Sequence, residues 1–280
     1  MTICIGALCS DLNGQPSKVA IVASDRMVTF GGITEFEHEI PKITEITGKI
    51  VTLTAGDALR GSRVSREVMA QTPAGAPTVR GVAESVSNRY VELRRQQIDS
   101  DIFDPRGIDI QQFYGGLQQR LLGPLAGALD GQVAEFNYGV ELLVAGTDDS
   151  GSHLYSVLNP GGQPNDFHQI GFHAIGSGML HALQSIIGFG HTGKRPLYDS
   201  LFTVYVAKRR AEVAPGVGKD TDIGIITESG ITWLTEAHLK NLEKIYNDYQ
   251  RPVSKEIKEE VAKLDILKKK QEGENNDPPR

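Results

Sequence analysis

The second residue of the chain is a threonine. Removal of Met1, common before a small residue, would leave Thr2 with a hydroxyl and a free α-amine on one residue. A threonine hydroxyl is a poor nucleophile unaided. An α-amine has a reference pKa near ~8, so a fair share is neutral at pH 7 and can take the hydroxyl proton. That chemistry is attack on a carbonyl by a residue that carries its own base. Met-Thr starts are common, so the dipeptide alone implies no more than the start of a strand.

Other reactive groups point elsewhere. GFGHTGKR contains G-x-G-x-x-G at Gly188, Gly190 and Gly193, and nearly spells a phosphate loop with Arg195 where a hydroxyl belongs. A phosphate loop follows a strand and opens a helix, whereas the preceding HALQSII has helical spacing, so the segment reads as a helix-to-helix connection. The seven histidines show no metal-binding spacing, and His168 and His173 lie an odd interval apart, which splays them on an extended chain. Cys4 and Cys9 are also five apart and face opposite sides of a strand, so no disulfide joins them and a reducing compartment fits. No G-x-S-x-G elbow or H-E-x-x-H occurs.

The elements that must position such groups follow from the patterning. The chain has 280 residues, 39% apolar and 23% charged, with a formal net charge of -6. These values fit a globular protein and argue against nucleic acid as a partner. No run approaches the ~20 apolar residues of a membrane helix, and no signal peptide is evident, so a cytoplasmic protein without membrane partners is expected. TICIGALC is nearly continuous apolar, as in a strand covered on both faces. KVAIVAS, KITEI and KIVTLTA continue as strands, with RMVTFGGITEFEHEIPK read as a loop. ALRGSRVSREVMAQ and TVRGVAESVSNRYVELRRQQ have helical periodicity, and DIQQFYGGLQQRLLGPLAGAL reads as a kinked helix. Then come VELLVAG and HLYSVLN as a hairpin, a strand within DFHQIGFHAIGSG, two helices, and DIGIITESGITWL as a final hairpin. Blocks of hairpins with blocks of helices predict an α+β fold of packed sheets covered by helices.

From about Thr235 the character changes. AHLKNLEKIYNDY is amphipathic, and Val253, Ile257, Val261, Leu264 and Leu267 form one stripe that needs a partner, either its own domain or a neighbouring subunit. The expected divisions are a domain at 1–235, a helical extension at 236–270 and a disordered tail at 271–280.

VAIVASDR, PKITEI, TLTAGDA and IGSGM occur in that order. Their combination resembles the proteasome β-subunit family of N-terminal nucleophile hydrolases, bacterial relatives included, over roughly Thr2 to Leu234. The resemblance implies a four-layer αββα sandwich of two antiparallel sheets flanked by helices. It implies a threonine endopeptidase with Thr2 as nucleophile, Asp25 and Lys42 as its ion pair, Gly56 as oxyanion donor and Ser177 at the α-amine. Lys42 would favour the neutral amine and the deprotonated hydroxyl, and Asp25 would fix Lys42, because an unpaired buried ammonium is costly. A glycine at 56 lets a substrate carbonyl approach the backbone N–H. By the same resemblance Thr29 pairs with the substrate as an added strand, and Thr54 and Ala58 shape the first specificity pocket.

No cofactor is implied, metal included. The implied partners are a peptide or unfolded-protein substrate and further copies of the chain in a ring or related assembly; an ATPase partner is left open. This chain departs from the family pattern at Met27, where an arginine is common. The late acidic residue and serine that support the N-terminus have no clear counterpart, Glu212 being the nearest acid. The segment from Gly75 to Gly131 is longer than usual. Two alternatives stay open: a non-catalytic scaffold subunit of the same fold, and an amidohydrolase acting on a small molecule.

Overall fold

In a computed structural model of the chain, residues 2–30, 34–39, 41–73, 75 and 77–250 are described. Met1, the stripe from Val253 to Leu267 and the tail at 271–280 lie outside the described residues. The chain divides into two compact units, Met1–Thr235 and Glu236–Arg280. In the second, one amphipathic helix is described, Glu236–Tyr249 (α7). No helix among the described residues is long and apolar enough to cross a membrane.

The first unit is mixed α+β with antiparallel sheets. It begins with β1 (Cys4–Cys9) and β2 (Val19–Asp25), both fully buried, as their unbroken apolar runs require. The segment read as a loop is instead a two-stranded ribbon, β3 (Met27–Phe30) and β4 (Thr34–Glu37). Its strands have four residues each, MVTF and TEFE, too short to stand out from a loop by pattern, so the pairing register reveals it. β5 (Ile43–Thr47) and β6 (Ile50–Gly56) form the next hairpin.

Two helices follow, α1 (Ala58–Gln71) and α2 (Val79–Ile98). Asp57 caps α1 by accepting from the N–H groups of Leu59 and Arg60, each at 3.0 Å. The stretch expected as one kinked helix is divided. A five-residue helix α3 (Ile110–Tyr114) ends at Gly115, and a separate α4 (Gly123–Glu135) starts with Pro124 in its first turn. Paired glycines end the first piece and proline is best tolerated at a helix start, so two helices replace one. These pieces bury Ile98, Ile102, Phe103, Phe113 and Leu129 in a satellite core of their own.

β7 (Val140–Asp148) and β8 (Gly151–Val157) pair as expected. A short β9 (Asn165–Asp166) lies on β8, and the strand expected within DFHQIGFHAIGSG is β10 (Phe172–Ile175), on β1. The helices α5 (Met179–Gly188) and α6 (Leu197–Ala211) are joined by the glycine-rich GFGHTGKR stretch. Its carbonyls at Gly193 and Arg195 accept from the N–H groups of Ser17 and Ser10 at 3.0 and 2.8 Å, so it braces the turn after β1. The final hairpin is β11 (Thr221–Thr227) and β12 (Gly230–Trp233).

The strand orders are β10-β1-β2-β11-β12 and β5-β6-β7-β8-β9. Alternation along β6 and β7 splits their side chains between two cores. Val51, Leu53, Ala55, Leu143 and Ala145 meet Cys4, Leu8, Ala20 and Val22 of the other sheet. Ile50, Leu142 and Val144 meet Val64 and Val68 of α1 and Val82 and Val86 of α2. α6 lies against β1 and β2.

Candidate active site

Two strand registers bring the candidate residues to one end of β1. Cys4 pairs with Ser24 in β2, so Ile3 falls opposite Asp25; the Asp25 N–H donates to the Ile3 carbonyl at 3.2 Å. Cys4 also pairs with Ile175 in β10, and the same offset carried two residues on sets Thr2 opposite Ser177. There the Thr2 N–H donates to Ser177 Oγ at 3.1 Å, and the Gly178 N–H donates to the Thr2 carbonyl at 3.2 Å. Lys42 enters from just before β5, held beside β6 by the Thr54 N–H donating to its carbonyl at 3.0 Å.

The side chains close into a triangle. The Thr2 hydroxyl donates to Asp25 Oδ1 and accepts from Lys42 Nζ. Lys42 Nζ also donates to Asp25 Oδ1 at 2.8 Å. Thr2 and Asp25 are buried, and the Lys42 side chain is 13% exposed. Asp25 takes two further donors on Oδ2, the N–H groups of Met27 at 3.0 Å and Gly218 at 2.9 Å, and a third donor on Oδ1, the Ile3 N–H at 2.9 Å. Five donors converge on a group with no solvent, the surroundings an acceptor-only carboxylate requires. The arrangement sets the Lys42 cation and the Asp25 carboxylate against one hydroxyl, the cation on its oxygen and the anion on its proton. Such a geometry stabilises negative charge developing on that oxygen.

Gly56 closes β6 with φ +88, and a Cβ there would lie 2.2 Å from the Gly139 carbonyl, so only glycine fits. The Asp57 N–H donates to that carbonyl at 2.7 Å. Amides alternate along an antiparallel strand. The Gly56 N–H therefore turns away from β7, like that of Thr54, to the side on which Lys42 lies. Thr54 is buried beneath α1, and Ala58, exposed, opens α1. Thr29 lies in β3 opposite Glu35.

Ser177 is held from two sides: its hydroxyl contacts the carbonyls of Thr2 at 3.3 Å and Pro215 at 3.1 Å. The preceding Gly176 has φ +95, and a Cβ on it would lie 2.4 Å from the Thr2 carbonyl oxygen. Its N–H donates to Glu141 Oε2 at 2.8 Å. The acid Glu212 pairs with Lys208 at 2.7 Å and Arg209 at 3.6 Å. Burial pushes the thiol of Cys4, two residues from Thr2, well above the usual range, which keeps it protonated.

Glu141, Lys208, Gly218 and Glu37 support this site without having been singled out by sequence. Lys208 and Glu212 do show an i, i+4 spacing, but their burial has no signature in the local pattern. No protein-family model matches the chain, and no curated protein matches it.

Proposed function

We propose that the chain is a threonine peptidase of the proteasome β-subunit-like N-terminal nucleophile class, with a four-layer αββα sandwich. One observation carries the reading: the Thr2 hydroxyl is bonded to both members of the buried Lys42–Asp25 pair, while the Thr2 nitrogen is bonded to Ser177. The sandwich is supported by the core shared between the two sheets, with α1 and α2 behind one and α6 against the other.

In this mechanism Thr2 is first released as the N-terminal residue. Its amine takes the hydroxyl proton, and Oγ1 attacks a peptide carbonyl. Lys42 stabilises the developing charge on Oγ1, and the Gly56 N–H faces the oxyanion. Collapse expels the amine half of the substrate, protonated by the Thr2 ammonium, and leaves an ester on Oγ1. Water activated by the same amine then hydrolyses the ester, restoring Thr2. Further copies of the chain would enclose the sites.

Intact-mass measurement tests the first step, with loss of everything before Thr2 expected. A threonine-directed peptide epoxyketone should then add its mass once per chain, and the adduct should vanish in Thr2→Ala. Retention of residues before Thr2 in the purified protein, or an adduct that persists in Thr2→Ala, would remove the reading. A non-catalytic scaffold is the second reading, favoured by Glu212 being engaged by Lys208 and Arg209. It predicts the same fold with no adduct.

A further inference from the structure

Lys208 of α6 is completely buried. Its three N–H donors meet three acceptors: Glu212 Oε1 at 2.7 Å, the Gly218 carbonyl at 3.0 Å and the Lys219 carbonyl at 2.6 Å. Those carbonyls belong to two consecutive peptide units, Gly218–Lys219 and Lys219–Asp220. The N–H ends of the same two units, on Lys219 and Asp220, both donate to Glu37 Oε1, the second at 3.0 Å. A cation thus sits on the oxygen end of each peptide and a carboxylate on the nitrogen end. Each charge polarises the peptides in the sense that strengthens the bonds to the other.

Glu37 shows the effect. Burial works to raise its pKa, yet the N–H groups of Asp220 and Lys219, the Asp220 side chain and the Lys208 charge hold it below the ordinary carboxylate range. Lys208 is itself lowered by burial, against which the Glu212 charge works. Glu37 ends β4, and β4 pairs only with β3 among the described residues. The other edge of β3 carries no strand among the described residues. The loop that Lys208 and Glu37 share also supplies the Gly218 N–H to Asp25, and its Pro215 carbonyl meets the Ser177 hydroxyl.

We propose that Lys208 and Glu37 are positioning residues that, from opposite ends of the same two peptides, fix the β3–β4 ribbon against the 215–220 loop so that an extended peptide substrate can pair with β3. The substrate clause rests on the peptidase reading; the bridge itself does not.

Backbone hydrogen exchange of the full chain, read by mass spectrometry of peptic fragments, tests the bridge. Glu37 is exposed, so Glu37→Ala removes the acceptor without emptying the core. It should speed exchange in fragments covering 27–37 and 215–221 about tenfold, with β6 and β7 unchanged. Glu37→Gln, which keeps an acceptor oxygen but no charge, should fall between Ala and wild type. Lys208→Met should speed the same fragments. Exchange in 27–37 within about twofold of wild type in Glu37→Ala would overturn the bridge, whether or not Lys208→Met folds. With a peptide substrate, Glu37→Ala should raise KM about fivefold, more than it lowers kcat. An unchanged KM beside faster exchange would overturn the substrate clause. Absence of turnover in the wild type would remove the peptidase reading and the substrate clause with it, while the exchange result still judges the bridge.

Discussion

Asp25 is the residue on which the site converges, and its two oxygens divide the work. Oδ1 binds the Thr2 hydroxyl, Lys42 and the Ile3 N–H, while Oδ2 binds backbone on either side, at Met27 and Gly218. Asp25→Asn keeps the shape but turns one acceptor into a donor facing other donors. Removing one partner of a buried ion pair costs about 3 kcal/mol. A loss of that size should appear in urea unfolding of Asp25→Asn at neutral pH; a loss below about 1 kcal/mol would mean that Lys42 finds its partner elsewhere. Little of this was legible at the level of residue types. Thr2, Asp25, Lys42, Gly56 and Ser177 stand out only through ordered short motifs, and the structure gathers Thr2, Asp25, Lys42 and Ser177 into direct contact. Glu37 and Lys208 were not readable, because a charge held across two peptide units has no spacing rule in sequence.

At the scale of elements, β1 is the ruler. It fixes Asp25 through β2 and Ser177 through β10, so these two of the three partners of Thr2 depend on registers rather than on loop conformation. The apolar runs of β1, β2 and β7 were plain, since strands covered on both faces show continuous burial. The β3–β4 ribbon was not, because each strand has only four residues, too few for a two-residue period to stand out. The 110–135 stretch differs from its composition in continuity rather than in type, the glycine pair at 115–116 ending a helix that composition alone would extend. Gly176 is where β10 hands over to the site. Gly176→Ala would force its methyl against the Thr2 carbonyl while keeping a positive φ, which costs about 2 kcal/mol or more. Thermal unfolding of that variant should show the loss. Gly75→Ala, in a loop with open space at the Cβ position, is the matched control and should unfold as wild type does.

For the whole molecule, acid sensitivity has an identifiable contributor. His173 lies flat on Phe167 at 3.9 Å between ring centres, and burial lowers its pKa to about 4. The folded state therefore favours the neutral ring. Stability from this group is intact above the unfolded value near ~6.5 and is lost as pH falls toward 4. The loss should amount to about 3 kcal/mol over that window. His173→Phe should flatten the acid side of a stability-against-pH curve, and a curve that overlays wild type would assign the sensitivity to other groups. Acid loss would not be confined to one element, since β10, which carries His173, is also the strand that sets Ser177.

The bond between the Thr2 nitrogen and Ser177 spans 175 positions of sequence, and the one from Gly218 to Asp25 spans 193. A ribosome makes this chain from the Thr2 end. The Thr2 hydroxyl leaves the exit tunnel long before the residues that orient it exist. The nascent chain therefore carries an incomplete centre through most of its synthesis, and assembly waits for β10 and the 215–220 loop. Order of synthesis alone thus delays the site until the first unit is nearly complete.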